Sequence, residues 1–577
     1  MNRPNEQRKG SAIVVGAGHN GLVAAVRLAR AGWAVTVLEQ GSEPGGCVWT
    51  ETHPSGVLVE RGAWEHGGIH PVATELGLDI DYRPHPVAAG FHFGDGTQRV
   101  FWTDLERTLP GLGADAPAYR GLVELSDTLF SMLGTFETPP TLTQIGAALA
   151  AVPGGDELFR LMIQPAETVI EAQLDDPYTR AALALQASHA QVPAWAPGTG
   201  LFAFMLPLAH GGTSVRPVGG SAALTRGLVA ALEAAGGIVR VDSPVVGIAT
   251  TSAVAPPPAD APAALADATS GPTASKKGAY GGSVSSGSGA VMGTSGPTWA
   301  GGGAVTLADG TVLTADAVVS TIGVPRTTAL LADEAPALRA AGADLHSGHF
   351  NVAELTVTIV QSERVALPWE DGDSIWYACA EPGDVRRGFA EVMAGQLPAS
   401  PWSMVGDVAQ PAGVAGGATW LSSIVPLERA DGPWTAELER EAGERLVDHT
   451  SKLIGVDLRA GAVDVVVSGP LTWQRRIGGD GSPNHLDNTL DQLLGWRTPG
   501  HADQRTELPW LFLAGAGQDP GGGLTGASGT AAAAAVTTPV GARGGLGARV
   551  STEVRGLTQG LKAYRTMRKS SRKGARR

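Results

Sequence analysis

Ser11-Ala-Ile-Val-Val-Gly16-Ala-Gly18-His-Asn-Gly21 is the stretch that decides the fold. Its first half is a short apolar run and reads as a buried parallel strand. A glycine turn follows, then the Ala/Leu/Val-rich segment Leu22–Ala31, which reads as a helix. A second apolar run, Ala34–Leu38, ends at Glu39. Strand, turn, helix, strand and acid make a β-α-β unit, the start of a doubly wound sheet. Gly16 permits the tight turn, Gly18 lets a pyrophosphate approach the backbone, and Gly21 lets the helix pack close to the sheet. Unpaired N–H groups at the helix start then face the phosphates. Glu39, directly after the second strand, can accept hydrogen bonds from a ribose diol. The alternative is an ordinary α/β turn that needs glycines. The strand, helix and acid together favour a bound dinucleotide.

Working outward, the hairpin Gly90–Trp102 turns at Asp95-Gly96 and looks antiparallel. Residues 110–210 are richer in helical patterns. A second α/β stretch begins at Val218-Gly219-Gly220, with a helix over Ala222–Ala235 and strands over Ile238–Val241 and Val245–Ala249. Residues 252–302 are rich first in Pro and Ala, then in Gly, Ser and Thr; with little to bury against the cost of ordering, they read as disordered. Their flanks, Val245–Ala249 and Ala304–Leu307, read as adjacent strands, so a surface loop absorbs the insertion. Strands Val352–Ile359 and Ser374–Cys379 and a helix over Ala436–Leu453 follow. The chain returns to a strand at Trp510–Leu513, a glycine-dense turn and the alanine-rich helix Gly529–Val536.

A chain of 577 residues exceeds one ordinary core, so two or more domains are expected. Its net charge of -14 argues against general nucleic-acid binding. Cys47 and Cys379 form no CxxC pair, so neither a redox dithiol nor a thiolate metal cluster is expected. Two lone cysteines suit a reducing, cytoplasmic setting. No run of about 18 apolar residues suggests a bilayer span. The body is acidic, but Lys562–Arg577 carries eight basic residues and no acidic one. Val550, Val554, Leu557, Leu561 and Tyr564 share one helical face upstream. That tail reads either as a peripheral contact with anionic lipid on the inner face of a membrane or as a helix docked on the acidic body.

An ADP-recognition unit does not by itself separate NAD from FAD. Glu43-Pro-Gly45-Gly46 does, because a glycine pair just after Glu39 lets backbone run past a diphosphate or flavin. No second strand–GxGxxG–helix–acid unit follows further along, where a nicotinamide domain would stand, so one dinucleotide is expected, and FAD is the better reading.

These segments resemble the phytoene desaturase-like flavoproteins, a branch of the amine-oxidase and glutathione-reductase superfamily. The look is nearest the subgroup labelled pyridine nucleotide-disulfide oxidoreductase domain-containing protein 2. Five segments carry the resemblance in order: Val14–Thr50; Gly56–Gly62 with Glu60; Arg216-Pro-Val-Gly-Gly220; His485–Leu493; and Leu511–Gly526. Three departures stand out. Cys47 replaces an arginine common after the glycine pair, Asp519 stands where close relatives often carry histidine, and the 252–302 insertion is longer than the family needs.

The resemblance implies an α/β fold, with a glutathione-reductase/amine-oxidase-like FAD domain and a discontinuous mixed α+β substrate domain. The FAD domain is expected at 10–109, 211–344 and 466–540, the substrate domain at 110–210 and 345–465, and a basic helix and tail at 541–577. Expected cofactor contacts are Gly16, Gly18, Gly21, Glu39, Gly45, Gly46, Gly515, Gly517, Asp519, Gly522 and Gly523. Asp519 is either a ribityl or flavin neighbour or a helix-entry cap. His485 is either an active-site histidine or a packed one; both residues are the catalytic candidates. Trp64, His66 and His70 are read as lining the substrate side without making a metal site. The implied activity is FAD-dependent dehydrogenation or desaturation of a lipophilic small molecule, with hydride passing to flavin N5. Oxygen, a quinone or another carrier would accept the electrons. A flavin-dependent amine or amino-acid oxidase and a non-catalytic lipid-binding escort are the alternatives.

Overall fold

The computed structural model describes residues 9–538, apart from 137–139, 152–153, 213, 254–300, 332 and 370–373. The basic segment 541–577 and nearly all of the 252–302 insertion therefore lie outside the described residues.

The opening unit forms as the sequence predicts. Strand β1 (Gly10–Val15), helix α1 (His19–Arg30) and strand β2 (Trp33–Leu38) follow one another, and Val14 pairs in parallel register with both Val37 and Val319. β1 lies at the centre of a five-stranded parallel sheet in the order Leu511–Leu513, Ala317–Ser320, β1, β2, Ile238–Arg240. A central parallel strand is covered on both faces, which is why Ala12, Ile13, Val14 and Val15 are all apolar and buried. α1 packs against the helices Ala222–Ala234 and Ala527–Thr537, burying Leu22, Val23, Val26 and Leu28. Each such side chain contributes about 1.5–3 kcal/mol. The alanine-rich final helix approaches so closely that a Cβ on Gly529 would lie 2.0 Å from the Asn20 carbonyl oxygen.

A second, seven-stranded sheet runs Ala462–Ser468, Val352–Gln361, Gly417–Pro426, Ser403–Asp407, Trp376–Cys379, Val87–Phe93, Gln98–Trp102. All its pairings are antiparallel except that of Trp376–Cys379 with Val87–Phe93. The hairpin 87–102, expected with the first sheet's 10–109 segment, is thus hydrogen-bonded into this second sheet. Its alternation was readable; its partner strand, far along the chain, was not.

Strand Val352–Gln361 shows why the sheet sits where it does. Leu355, Val357 and Ile359 pack in one core with Ala442, Leu446 and Val447 of the helix Ala436–Ile454. On the opposite face, the buried hydroxyls of Thr356 and Thr358 donate to the carbonyls of Arg61 and Glu60. Those bonds join the sheet to the segment just after the glycine-rich N-terminal unit. A helical layer spanning Ala116–Leu208 shares a core with the sheet through Phe91, Phe101, Tyr119 and Tyr377. Among the described residues no helix is long and apolar enough to cross a membrane.

Strands Val245–Thr250 and Gly303–Leu307 pair antiparallel, with Thr250 opposite Gly303. The two ends of the insertion are therefore neighbours. Replacing residues 254–300 with a short Gly-Ser link should keep bound flavin and raise stability by about 2 kcal/mol at most, from reduced loop-closure entropy. Thermal unfolding and flavin content would check this; a lower Tm would show that the segment packs on the body.

Candidate functional site

Three glycine segments meet at the carboxyl edge of the parallel sheet. Gly16 (φ +101°) turns the chain out of β1 and donates its N–H to the Leu38 carbonyl at 2.8 Å. A Cβ on Gly21 would sit 2.2 Å from the Gly16 carbonyl oxygen, so α1 can lie this close only with glycine there. At Gly18 the space is open: an added Cβ meets nothing within 4 Å. No side chain caps the N-terminus of α1 and no acid stands in its first turn, so its N–H groups and positive dipole end face this space.

The Glu39 carboxylate lies across the ends of β1 and β2. One oxygen accepts the Ala17 N–H and the other the Gly41 N–H, both at 2.9 Å. Gly45 bridges to Gly18 and donates to the Ala17 carbonyl at 2.9 Å; a Cβ on Gly46 (φ +58°) would come within 3.3 Å of the Gly18 Cα. Gly16, Gly18, Gly21, Glu39, Gly45 and Gly46 thus converge.

The C-terminal glycine segment reaches the same edge. Ala514 donates to the Ser320 carbonyl, extending the sheet into Gly515–Gly526. The His19 ring, at the start of α1, hydrogen-bonds the Gly523 backbone; burial pulls its pKa down to about 4 against that bond. Asn20 accepts the N–H of Gly529 at 3.3 Å, tying the starts of α1 and the final helix together. Gly517 lies against the His485 side chain, and Gly522 against Asn484, where a Cβ would come within 2.3 Å of the amide oxygen.

The two catalytic candidates differ in setting. His485, held at φ +61°, packs between Gly323 and Gly517, and its Nδ1 has no hydrogen-bond partner among the described residues. Burial, then the charges of Arg497 and Arg326, push its pKa down to about 4, so the ring is neutral at neutral pH. It is a hydrogen-bonding group, not a standing cation. Asp519 is buried and accepts the Gly495 N–H at 2.8 Å. Burial raises its pKa, while the Gly495 amide and the Arg497 charge act the other way. Its contacts bracket the chain at 495–498.

Sequence reading missed three arginines. Arg497 is fully buried: Nε donates to the Ala516 carbonyl at 2.6 Å, Nη1 to Asn488 at 2.8 Å and Nη2 to the Asn484 carbonyl at 2.7 Å. It fastens the His485 loop to the glycine segment. Arg476 donates to the Gly46 carbonyl at 3.2 Å. Arg326 donates to the Ile477 carbonyl at 2.9 Å, and Glu39 acts on the charges of both arginines. Arg326 had one positional signal, the first turn of the helix after a central strand. Arg497 and Arg476 lay in no readable pattern.

Around this edge, buried polar groups hold the supporting loops. Glu60 is 1% exposed and accepts from the Ser221 N–H at 2.6 Å and the Thr50 hydroxyl at 3.0 Å. Gly220 (φ +78°) leaves room for both, since a Cβ there would lie 2.8 Å from the carboxylate. Burial outweighs these bonds and pushes Glu60 up to about 7. Trp64 is wedged against Trp420 and over Gly406, with the Arg216 guanidinium 3.6 Å from its ring centre. His66 is buried beside Tyr82, and His70 meets the same ring edge-on. Among the described residues no cluster of His, Cys, Asp or Glu could hold a metal.

The residues present fit a dinucleotide bearing a flavin. An open glycine floor, an uncapped helix end, an acid across the strand ends and an unpartnered buried imidazole nitrogen occupy one edge. Residues 21–261 match the family described as flavin containing amine oxidoreductase. A stretch of 134 residues is 33% identical to hydroxyneurosporene desaturase of Cereibacter sphaeroides, covering 20% of this chain and 26% of that protein. Another of 118 residues is 35% identical to a subunit of limonene dehydrogenase from Castellaniella defragrans, covering 20% and 21%. The matched stretches thus span about a quarter or less of these relatives. Cyclohexylamine oxidase from Brevibacterium oxydans IH-35A shares the fold, with a TM-score of 0.53 over 92% of this chain and 98% of that one, at 15% identity. The fold is that of the amine-oxidase-like flavoproteins, and the family match over residues 21–261 is to a flavin-containing family. FAD is the cofactor.

Two consequences are measurable. Gly18→Leu should leave the Tm of the FAD-free protein nearly unchanged and abolish FAD retention, because its side chain enters open space in front of α1. Gly21→Ala should lower Tm, because its Cβ strikes backbone. Equal behaviour of the two variants would remove this edge as the cofactor site. The second concerns Glu60. With a folded pKa near 7 and an unfolded one of about 4.3, the folded state holds the proton more tightly. The stability from that proton is full below about pH 4.3 and is lost as pH rises through 7. Glu60→Gln, which cannot ionise, should therefore gain Tm relative to the parent between pH 5 and pH 7, levelling above. A difference independent of pH would refute the burial of an ionising carboxyl.

Proposed function

We propose that the protein is an FAD-dependent dehydrogenase or desaturase of a lipophilic small molecule, in the phytoene desaturase-like branch. The observation that carries this reading is the meeting of Gly16–Gly21, Gly45–Gly46 and Gly515–Gly526 at one edge. The second sheet and the helical layer share a large apolar core, with Tyr377, Met404, Trp420 and Ile424 among its members. The names of the two partial relatives, a carotenoid-type desaturase and a limonene dehydrogenase, support a lipophilic substrate.

Bound FAD supplies a hydride acceptor at N5. The chain's own contribution is positional. Gly18 and the α1 terminus receive the diphosphate, Glu39 the ribose, and Arg326 and Arg476 place positive charge beside the glycine pair. Asp519 and Arg497 hold the final glycine segment, and neutral His485 offers a hydrogen bond from the opposite loop. Substrate oxidation by a flavin needs few acid–base side chains. Oxygen, a quinone or another carrier would be the electron acceptor.

Amine oxidation is the second reading, favoured by two observations. Glu354 places a carboxylate on the inner face of the large sheet, and the family match is to amine oxidoreductases. Anaerobic mixing separates the two readings. The purified protein should show oxidised flavin absorbance and release FAD on denaturation. A polyene or terpene donor should bleach that absorbance, and a short polar amine should not. Bleaching by the amine alone would move the assignment to amine oxidation, and absence of FAD would sink both.

A further inference from the structure

Glu354 is the one acidic side chain that strand Val352–Gln361 presents on the face that meets the cofactor-binding segments. It follows the alternation of Thr356 and Thr358, whose hydroxyls bind the Arg61 and Glu60 carbonyls. One residue pair further along the same face, the Glu354 carboxylate is only half-buried. The Ser422 hydroxyl, on the neighbouring strand, donates to its Oε1 at 2.8 Å. Among the described residues no cation forms an ion pair with it.

The nearby groups locate it. Cys47, directly after the Gly45–Gly46 pair, feels the Glu354 charge, and burial with that charge pushes the thiol up to about 12. His189, at the end of the helix Pro177–Ser188, and Tyr377 also feel it. The Tyr377 hydroxyl donates to Gln186 Oε1 at 3.0 Å and lies 3.3 Å from His189 Nδ1. His189 is exposed at the end of that helix.

Glu65 gives the contrast. Its carboxylate accepts the Gly67 and Val215 N–H groups at 3.0 Å and the Ser214 hydroxyl, with the Arg216 charge beside it. That is a carboxylate built into the structure. Glu354 has one hydroxyl donor and acceptor capacity for several more. Being only half-buried, it is open to a further donor from outside the chain.

We infer that Glu354, oriented by Ser422 and flanked by the Tyr377–His189 pair, anchors the hydrogen-bond-donating end of an otherwise apolar substrate. The end group is an ammonium or a hydroxyl, and the apolar body lies along the wall of Tyr377, Trp420 and Ile424. This rests on the proposed function and adds what the substrate carries at one end.

The test uses the full-length, FAD-loaded protein and three probes of one chain length: octylamine, 1-octanol and octane. Binding is read from the shift of the flavin absorption spectrum, giving a Kd for each with the parent and with Glu354→Gln. Gln keeps the Ser422 contact and removes the charge, and flavin content with Tm confirms folding. The amine or the alcohol should bind at least ~10-fold tighter than octane, because a site made for a donor rejects the analogue lacking it. A loss of ~10-fold in Glu354→Gln confined to octylamine identifies the ammonium. Tighter binding of octanol that weakens in the variant, with no preference for the amine, identifies the hydroxyl. The inference is overturned by equal affinity for all three probes, by unchanged affinities in Glu354→Gln, or by no spectral shift with any probe. If the variant does not fold, the parent's preference among the three probes decides. In every overturned case the protein's own FAD spectrum still reports on the cofactor reading, so the two fail separately.

Discussion

No side chain fits between the end of β1 and the start of α1, and the rest of the molecule is arranged around that contact. The Gly16 carbonyl lies 2.2 Å from where a Gly21 Cβ would be, so the helix is seated directly on the turn. From that seat α1 covers the middle of the parallel sheet and points its uncapped end along the sheet's carboxyl edge. The Glu39 carboxylate, the Gly45–Gly46 pair and the Gly515–Gly526 segment are each positioned relative to that end by backbone hydrogen bonds or by contact with His19 and Asn20. Backbone, not side chain, forms the floor of the site.

That dependence explains what the sequence made legible. Gly16, Gly18, Gly21 and Glu39 obey a local rule: each is required by the turn, the cofactor's approach or the strand end beside it, all inside one β-α-β unit. Gly515, Gly517, Gly522 and Gly523 were recognisable as a surface stripped of side chains, and the sheet order explains why they reach the same edge. The roles of Arg497 and Glu354 were not legible. Arg497 matters because its guanidinium meets Ala516, Asn488 and the Asn484 carbonyl at once, a convergence of loops with no periodicity. Glu354 shares a strand face with Thr356 and Thr358, and its charge reaches Cys47, some three hundred residues earlier in the chain. Asp519 shows the middle case. Its segment reads as part of the site region, while its observed partner, the Gly495 amide, comes from an irregular loop that no pattern marks.

Interior charge in this protein follows one physical rule. Arg497, with its pKa drawn down to about 10 by burial, has acceptors for each of its three nitrogens. Glu65 has donors from backbone and hydroxyl groups, while Glu60, pushed up to about 7 by burial, is held by the same kinds of donor. A fully bonded ion inside a protein is a fastening, because losing any one partner leaves a desolvated charge behind. The fastenings sit where irregular chain must hold still near the glycine floor. Neutral His19, His66 and His485 occupy the spaces between them, kept uncharged by the same desolvation.

The pairing of β1 also governs the order in which the chain can assemble. β1 finds β2 at once, but its other neighbour is Ala317–Ser320 and the sheet's edge is Leu511–Leu513. The second sheet is no more local: its hairpin 87–102 waits for Trp376–Cys379, and its far edge is Ala462–Ser468. Neither half is therefore a unit that closes during synthesis. Topologies dominated by such distant pairings fold slowly and leave apolar strands uncovered meanwhile. The nascent chain carries Ala12–Val15 and Phe91–Phe93 with one flank open until Ala317–Ser320 and Trp376–Cys379 have been made, which makes shielding of the growing chain a requirement of this architecture.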